Sequence, residues 1–425
     1  MSENKDGMKN DLGVHVNEDL AALVHDLALR DYQTPGSTKF GSKEKYVWLR
    51  QAGSLIWLDT GDASAAEKVW SDEATALTTN NTLVNAWVKT GIVDEVIPNA
   101  AKEIRSLVPN ISEQALVYEI GFLLNAKLAL SLVQKFGAHV SVELHPDMGF
   151  NIEGTLTFAR RYYAINPELF YVKVPMTEEG LTAVRTLSKE EIPVNLTIGF
   201  SARQNYLAAR FANPSFVNVF LGRLNSVVEA NSLGSSQNIG EKATLASDEM
   251  MKNLRSSGAA GTCQIGASLR SGGQVAALAG VDVLTMPPKS AGEYLALDLK
   301  HDDLSYTNWR DLPVQLQPNG PVQPHDFDLL WEIEEKFISY VNDVVKHSDS
   351  ITSGADLKQL ANQHGVNLFH DWTPEERLKI REQGKIPQTA NWPGIALDTL
   401  MSMAALESFT QDQIEVDSRI RSMIG

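Results

Sequence analysis

FYVKVPMTEEGLTAVRTLSKEEIPVNLTIGF, residues 170–200, is the stretch on which the fold turns. Its two ends, FYVKVP (170–175) and VNLTIGF (194–200), are short runs rich in apolar and β-branched residues, nearly continuous as in strands buried on both faces. The segment between them carries helical spacing. A strand, a helix and a second strand in so short a span make a βαβ unit with parallel strands. Working outward, the alternation recurs from residue 54 to residue 287. SLIWLD (54–59), TALTTN (75–80) and HVSVEL (139–144) precede the unit, and FVNVFLG (216–222), TCQIGAS (262–268) and DVLTMP (282–287) follow it. LVYEIGFLLNAKLALSLVQKF before the third strand and GQVAALAG before the eighth read as helices. Eight strands alternating with helices predict an α/β chain folded as a (β/α)8 TIM barrel, with its chemistry at the C-terminal strand ends. No sequence repeat of fixed period accompanies this, so the repetition is structural only.

A length of 425 residues exceeds one average domain, yet barrels routinely pass ~250 residues as a single unit. The expected division is an N-terminal helical flank over 1–50, the barrel over 51–350, and a helical extension packed on it over 351–425. In the flank, Leu20, Leu23, Val24 and Leu27 fall at helix spacing. Phe327, Leu330, Trp331, Phe337, Ile338, Val341 and Val345 predict one face of a long helix ending near His347, where HSDSITSG breaks it. Thr373, Pro374 and Glu376 form a capping box with proline at the first helical position.

The apolar fraction of 43% and charged fraction of 21% are those of a globular chain with a large core. Thirty-seven basic against fifty-three acidic residues give a net charge of −16, which argues against nucleic acid or an anionic membrane surface as a partner. The single cysteine, Cys263, forbids an internal disulfide or a cysteine-based zinc site and fits a reducing compartment. MSENKDGMKND at the start has no apolar leader core, and no uninterrupted run of ~18 apolar residues occurs. The expectation is a cytoplasmic protein that does not span a membrane.

Polar residues gather at the expected strand ends. Lys173 shares a face of its strand with Tyr171 and Pro175. A lysine facing a barrel interior is desolvated, which favours the neutral amine that attacks a carbonyl to form a Schiff base. The competing reading is a lysine snorkelling outward between helices. Asp59, Glu143, Asn80, Asn195 and Thr197 stand at the ends of the first, third, second and fifth strands, offering acid/base groups and amides for sugar hydroxyls. Taken singly, each reads equally as a turn or capping residue. Arg223, then Ser268, Arg270, Ser271, Gly272 and Gly273, would make an anion site from guanidinium groups, a hydroxyl and helix N-terminal amides; the bland reading is a surface arginine and a glycine turn. Glu143, His145 and Asp147 alternate and could instead ligate a divalent metal, although Pro146 already takes the chain out of the strand. P-loop, G-x-G-x-x-G and H-E-x-x-H patterns are lacking.

These residues lie in stretches by which the chain resembles the transaldolases: WLDTGD (57–62), LTTNNTL (77–83), SVE (141–143), YVKVP (171–175), VNLTIGFS (194–201), VFLGR (219–223) and GASLR (266–270). The resemblance covers roughly residues 54–290, in the family's order. It implies a class I barrel enzyme that moves a dihydroxyacetone unit from a ketose phosphate to an aldose phosphate without metal or organic cofactor. It makes Lys173 the Schiff-base lysine and Asp59 the acid/base at the C4 hydroxyl. Glu143 becomes an acid/base acting through a water, and Thr197 the residue that positions that water. Asn80 and Asn195 would hold the dihydroxyacetone hydroxyls, and Arg223, Ser268 and Arg270 the phosphate. Phe220 stands where the related fructose 6-phosphate aldolases carry tyrosine, which favours transfer over simple cleavage. Two departures are visible. Asn81 replaces a proline, expected to alter only a loop, and Asn218 replaces a serine at the donor end of the site. The alternatives are an aldolase releasing free dihydroxyacetone and a non-catalytic barrel that binds sugar phosphates. A homodimer is the macromolecular partnership left open.

Overall fold

The computed structural model of the chain describes residues 18–36, 39–317 and 324–425; the leader reading of the first residues falls outside them. The eight strands are β1 (Leu55–Asp59), β2 (Ala74–Thr78), β3 (His139–Glu143), β4 (Phe170–Pro175), β5 (Val194–Thr197), β6 (Phe216–Phe220), β7 (Cys263–Ala267) and β8 (Val283–Met286). Each pairs in parallel with the next, and β8 returns to β1 to close the barrel. Several strands stop earlier than the sequence suggested. After β5, Ile198 takes a left-handed φ of 59°, a conformation no strand continues through. After β6, the helix Leu221–Ala230 begins at once, so Arg223 lies on a first helical turn and not on a strand.

Register and alternation then stack the lumen in layers. At the lower level Trp57, His139, Tyr171 and Phe216 form an aromatic floor: Trp57 stacks on Tyr171 at 5.5 Å, Tyr171 on His139 at 4.7 Å, and Trp57 meets Phe216 edge-on at 4.8 Å. Two residues further along the same strands stand Asp59, Ser141, Lys173 and Asn218. The outward positions, such as Val172, Val174, Val194, Leu196, Val217 and Val219, are fully buried beneath the surrounding helices. Apolar burial at ~25 cal/mol per Å² on that side holds the polar lumen in place.

The helix Glu113–Phe136 is long and apolar enough to cross a membrane, by length and composition only. It is buried inside this fold instead, packed on β3 and on the N-terminal helix Glu18–Leu29. The long helix expected over 327–345 is broken. Helices Pro324–Asp328 and Glu335–Lys346 flank a turn, in which the Leu330 carbonyl accepts from Ala202 N–H at 2.8 Å instead of continuing a helix. The capping box at Thr373 and Glu376 forms at the start of helix Pro374–Gln383.

The last helix, Leu397–Met423, crosses the C-terminal mouth of the barrel. Asp398 is fully buried and accepts two hydrogen bonds of 2.7 Å from Arg203 and one of 2.7 Å from Ser201. Ser402 donates to the Ile198 carbonyl at 2.9 Å, which ties down the left-handed turn after β5. Farther along, Gln413 accepts from Asn81, Glu415 from Asn85, and Asp417 lies 3.3 Å from His145. The helix therefore bridges the loops after β2, β3 and β5. Asn81, at the position of the expected proline, does more than shape its loop, because its amide is the tie to this helix.

Candidate active site

Beneath that roof lies a cavity of about 280 Å³. Lys173 is at its floor and almost wholly buried; it points inward, so the snorkelling alternative does not hold. The strand register sets Glu143 opposite Lys173 and Lys173 opposite Asn195. Nζ of Lys173 donates to the Thr79 carbonyl at 3.0 Å and to Glu143 Oε2 at 3.3 Å. Burial raises the pKa of Glu143 above the usual carboxylate range, opposed by the nearby ammonium. Asp59 faces the cavity from β1 and accepts from the Thr78 hydroxyl at 2.7 Å. Its pKa is also raised by burial, against the pull of Lys173, the Thr78 hydroxyl and Arg270. Two carboxyls that hold protons more readily than usual thus flank one buried amine.

The amides are arranged in a chain. Asn218 donates to Asn195 Oδ1 at 3.2 Å, Asn195 donates to Ser141 Oγ at 3.1 Å, and Gly199 N–H donates to Asn218 Oδ1 at 3.3 Å. Thr197 Oγ1 is buried with no hydrogen-bond partner among the described residues. Asn80 lines the cavity while its Oδ1 caps the helix Asn81–Lys89 by accepting from Leu83 N–H at 2.9 Å.

Arg223, Ser268 and Arg270 line one wall together with Phe220. Arg223 is buried, its Nη1 has no partner among the described residues, and its guanidinium lies 5.3 Å from the Phe409 ring centroid. Burial, reinforced by Arg270, pushes its pKa down to about 10. Ser268 has a left-handed φ of 63°, and a Cβ on Gly222 would lie 2.2 Å from the Ser268 carbonyl. Only glycine lets the Arg223 helix start so close to the Arg270 loop. Of the helix N-terminal amides expected to join this site, that of Gly272 is committed elsewhere, donating to Glu293 at 3.0 Å.

The alternative metal set does not assemble. Glu143 turns to Lys173, His145 to Asp417, and Asp147 accepts from Tyr118 at 2.8 Å; no metal-holding group of three such residues occurs among the described residues. Lining residues that the sequence reading did not single out include Thr78 and Thr285, whose hydroxyls lie 2.9 Å apart, and from the tail Phe409 on the roof helix and Lys385 on the segment before it. The tail carried no motif that ties it to the site, and nothing in its spacing pointed there.

A family model described as Transaldolase/Fructose-6-phosphate aldolase matches residues 56–317, more than half of the chain. The chain belongs to that family. It is 30% identical to a transaldolase of Kluyveromyces lactis over 257 residues, covering 59% of this chain and 75% of that one. A transaldolase of Xanthomonas euvesicatoria pv. vesicatoria is 28% identical over 293 residues, or 68% and 87% of the two chains. A transaldolase of Trichormus variabilis is 28% identical over 250 residues, or 57% and 74%. The chain is thus a transaldolase-family enzyme on a closed eight-stranded barrel, with over a hundred residues C-terminal to the matched region.

Proposed function

We propose that the chain is a class I transaldolase that transfers a dihydroxyacetone unit between sugar phosphates through a Schiff base on Lys173. The observation that carries this reading is the Lys173 amine, buried at the cavity floor 3.3 Å from Glu143, with Asp59 facing the same space. Glu143 relieves the ammonium of a proton, and the neutral amine adds to the C2 ketone of the donor. Loss of water from the carbinolamine needs an acid; Glu143 supplies the proton through a water that Thr197 positions. Asp59 takes the C4 hydroxyl proton as the C3–C4 bond breaks and the aldose phosphate departs. The enamine left on Lys173 attacks the acceptor aldehyde, Asp59 returns the proton, and hydrolysis frees the new ketose. Asn80 and Asn195 hold the dihydroxyacetone hydroxyls, with Asn218 beside Asn195 at the donor end of the cavity. Phe220 packs beside Arg223, and Arg223, Ser268 and Arg270 hold the phosphate. The reducing cytosol is the compartment this reading assigns.

Borohydride added during turnover with fructose 6-phosphate should leave a reduced three-carbon adduct on Lys173, located by peptide mass spectrometry. An adduct elsewhere, or none while turnover continues, removes the mechanism. Dihydroxyacetone released without an acceptor would make the protein an aldolase instead. Since no step calls on a metal, a chelator is expected to leave the rate unchanged.

A further inference from the structure

Lys385 lies outside the residues that the family model matches, on the segment between helix Pro374–Gln383 and the short turn Thr389–Asn391. It lines the same cavity as Arg223 and Arg270, is solvent-exposed, and makes no ion pair or hydrogen bond among the described residues. The backbone that carries it is fixed on both sides. Before it, Arg377 and Arg381 both bind Glu407, a fully buried carboxylate on the roof helix, at 2.6 and 2.8 Å. After it, Asn231 donates to the Pro387 carbonyl at 3.0 Å and accepts from Thr389 N–H at 2.9 Å. Asn231 is the C-cap of the helix whose first turn bears Arg223, so the Lys385 segment is tied to the same element as the anion wall, at its far end. Asp412 accepts a hydrogen bond from Thr82, and Glu241 from Asn225 and Gln274; neither pairs with Lys385 among the described residues. In a chain of net charge −16, an unpaired ammonium held at the mouth of a cavity that already contains two guanidinium groups is a site for negative charge.

We propose that Lys385 is the third cation of the phosphate site, closing on the phosphoryl group from the roof side, so that the C-terminal segment supplies a specificity-determining residue for phosphorylated sugars. This rests on the assignment of Arg223, Ser268 and Arg270 to the phosphate. A phosphate dianion held by two guanidinium groups from below keeps oxygens open toward the mouth, where a flexible ammonium with three donors can reach them. Lysine suits that place because it can swing away to admit and release substrate.

Inorganic phosphate is the probe, titrated calorimetrically at constant ionic strength into the full-length wild type, Lys385→Ala, Lys385→Arg and Arg270→Ala. Phosphate affinity should fall about tenfold in Lys385→Ala and largely return in Lys385→Arg. In turnover, kcat/KM for glyceraldehyde 3-phosphate relative to glyceraldehyde should fall by a similar factor, through KM. Lys385 is exposed, so the melting temperature without phosphate should match the wild type. Undiminished phosphate binding in Lys385→Ala, with a loss in Arg270→Ala, overturns the role of Lys385 and leaves the anion wall standing. Weakened binding in both variants of an enzyme that shows no transaldolase turnover keeps the proposal and removes the assigned chemistry. A wild type that binds no phosphate overturns both.

Discussion

Asp59 and Glu143 combine a functional need with a stability cost. Each carboxyl has a raised pKa because burial disfavours its charged form. Such a group binds its proton more tightly in the folded chain than in the unfolded one, so stability falls as pH climbs from the ordinary carboxylate range through the folded value. Asp59→Asn should therefore lower kcat by roughly 10²–10⁴ while raising the melting temperature at pH 7. Calorimetry as a function of pH should show that gain vanishing below about pH 4, where the wild-type carboxyl is protonated in both states. A variant that melts lower than wild type at pH 7 would mean that Asp59 serves the fold. Asn218 lines the cavity, and its amide also bridges Asn195 and the Gly199 N–H, so it bears on the donor both directly and through Asn195. A serine at that position cannot span both, and Asn195 is left with only its bond to Ser141 to orient it. Asn218→Ser should thus shift ratios of kcat/KM across a panel of ketose donors by about five- to a hundredfold, equivalent to ~1–3 kcal/mol. Uniform changes for every donor would show that position 218 does not set specificity.

Among the elements, the roof helix Leu397–Met423 carries the most unexpected role. It offers no single apolar face, because much of its length is buried between the barrel helices Asn81–Lys89 and Glu113–Phe136 and the tail helix Pro374–Gln383. Its firmest anchor is Asp398 with Arg203, both buried. Asp398→Ala leaves the Arg203 guanidinium without its carboxylate and should cost ~3–5 kcal/mol in urea unfolding, whereas an exposed pair such as Lys135 with Glu67 should contribute under ~1 kcal/mol. Equal effects of the two deletions would mean that the helix is not held by this pair. The strands were legible because a two-residue period and β-branched runs are local properties. The helix over 327–345 was misread for the complementary reason. Phe327, Leu330 and Trp331 are buried as an amphipathic face requires, but the Leu330 carbonyl is taken by Ala202, a partner that no local pattern reveals.

At the scale of the molecule, barrel and tail share one hydrophobic core, with Leu400, Met401 and Phe409 in the same cluster as Val172 and Leu196. Differential scanning calorimetry should accordingly give one cooperative transition for the full chain. Two separated transitions would make the tail an independent unit. The sequence by itself determined the eight-stranded barrel and placed Lys173, the acids and the amides at its strand ends, because strand alternation is a local property; it leaves open whether Lys173 faces the lumen or snorkels outward, and the structure turns it inward. Only the tertiary structure decided what covers that lumen. Lys385 and Phe409 reach the cavity from the tail, far along the chain from the strands they face, Gly272 gives its N–H to Glu293, and Asn81 reaches Gln413. Those pairings depend on where separate elements meet in space, which burial energy and polar satisfaction select for the whole fold at once and no local period encodes.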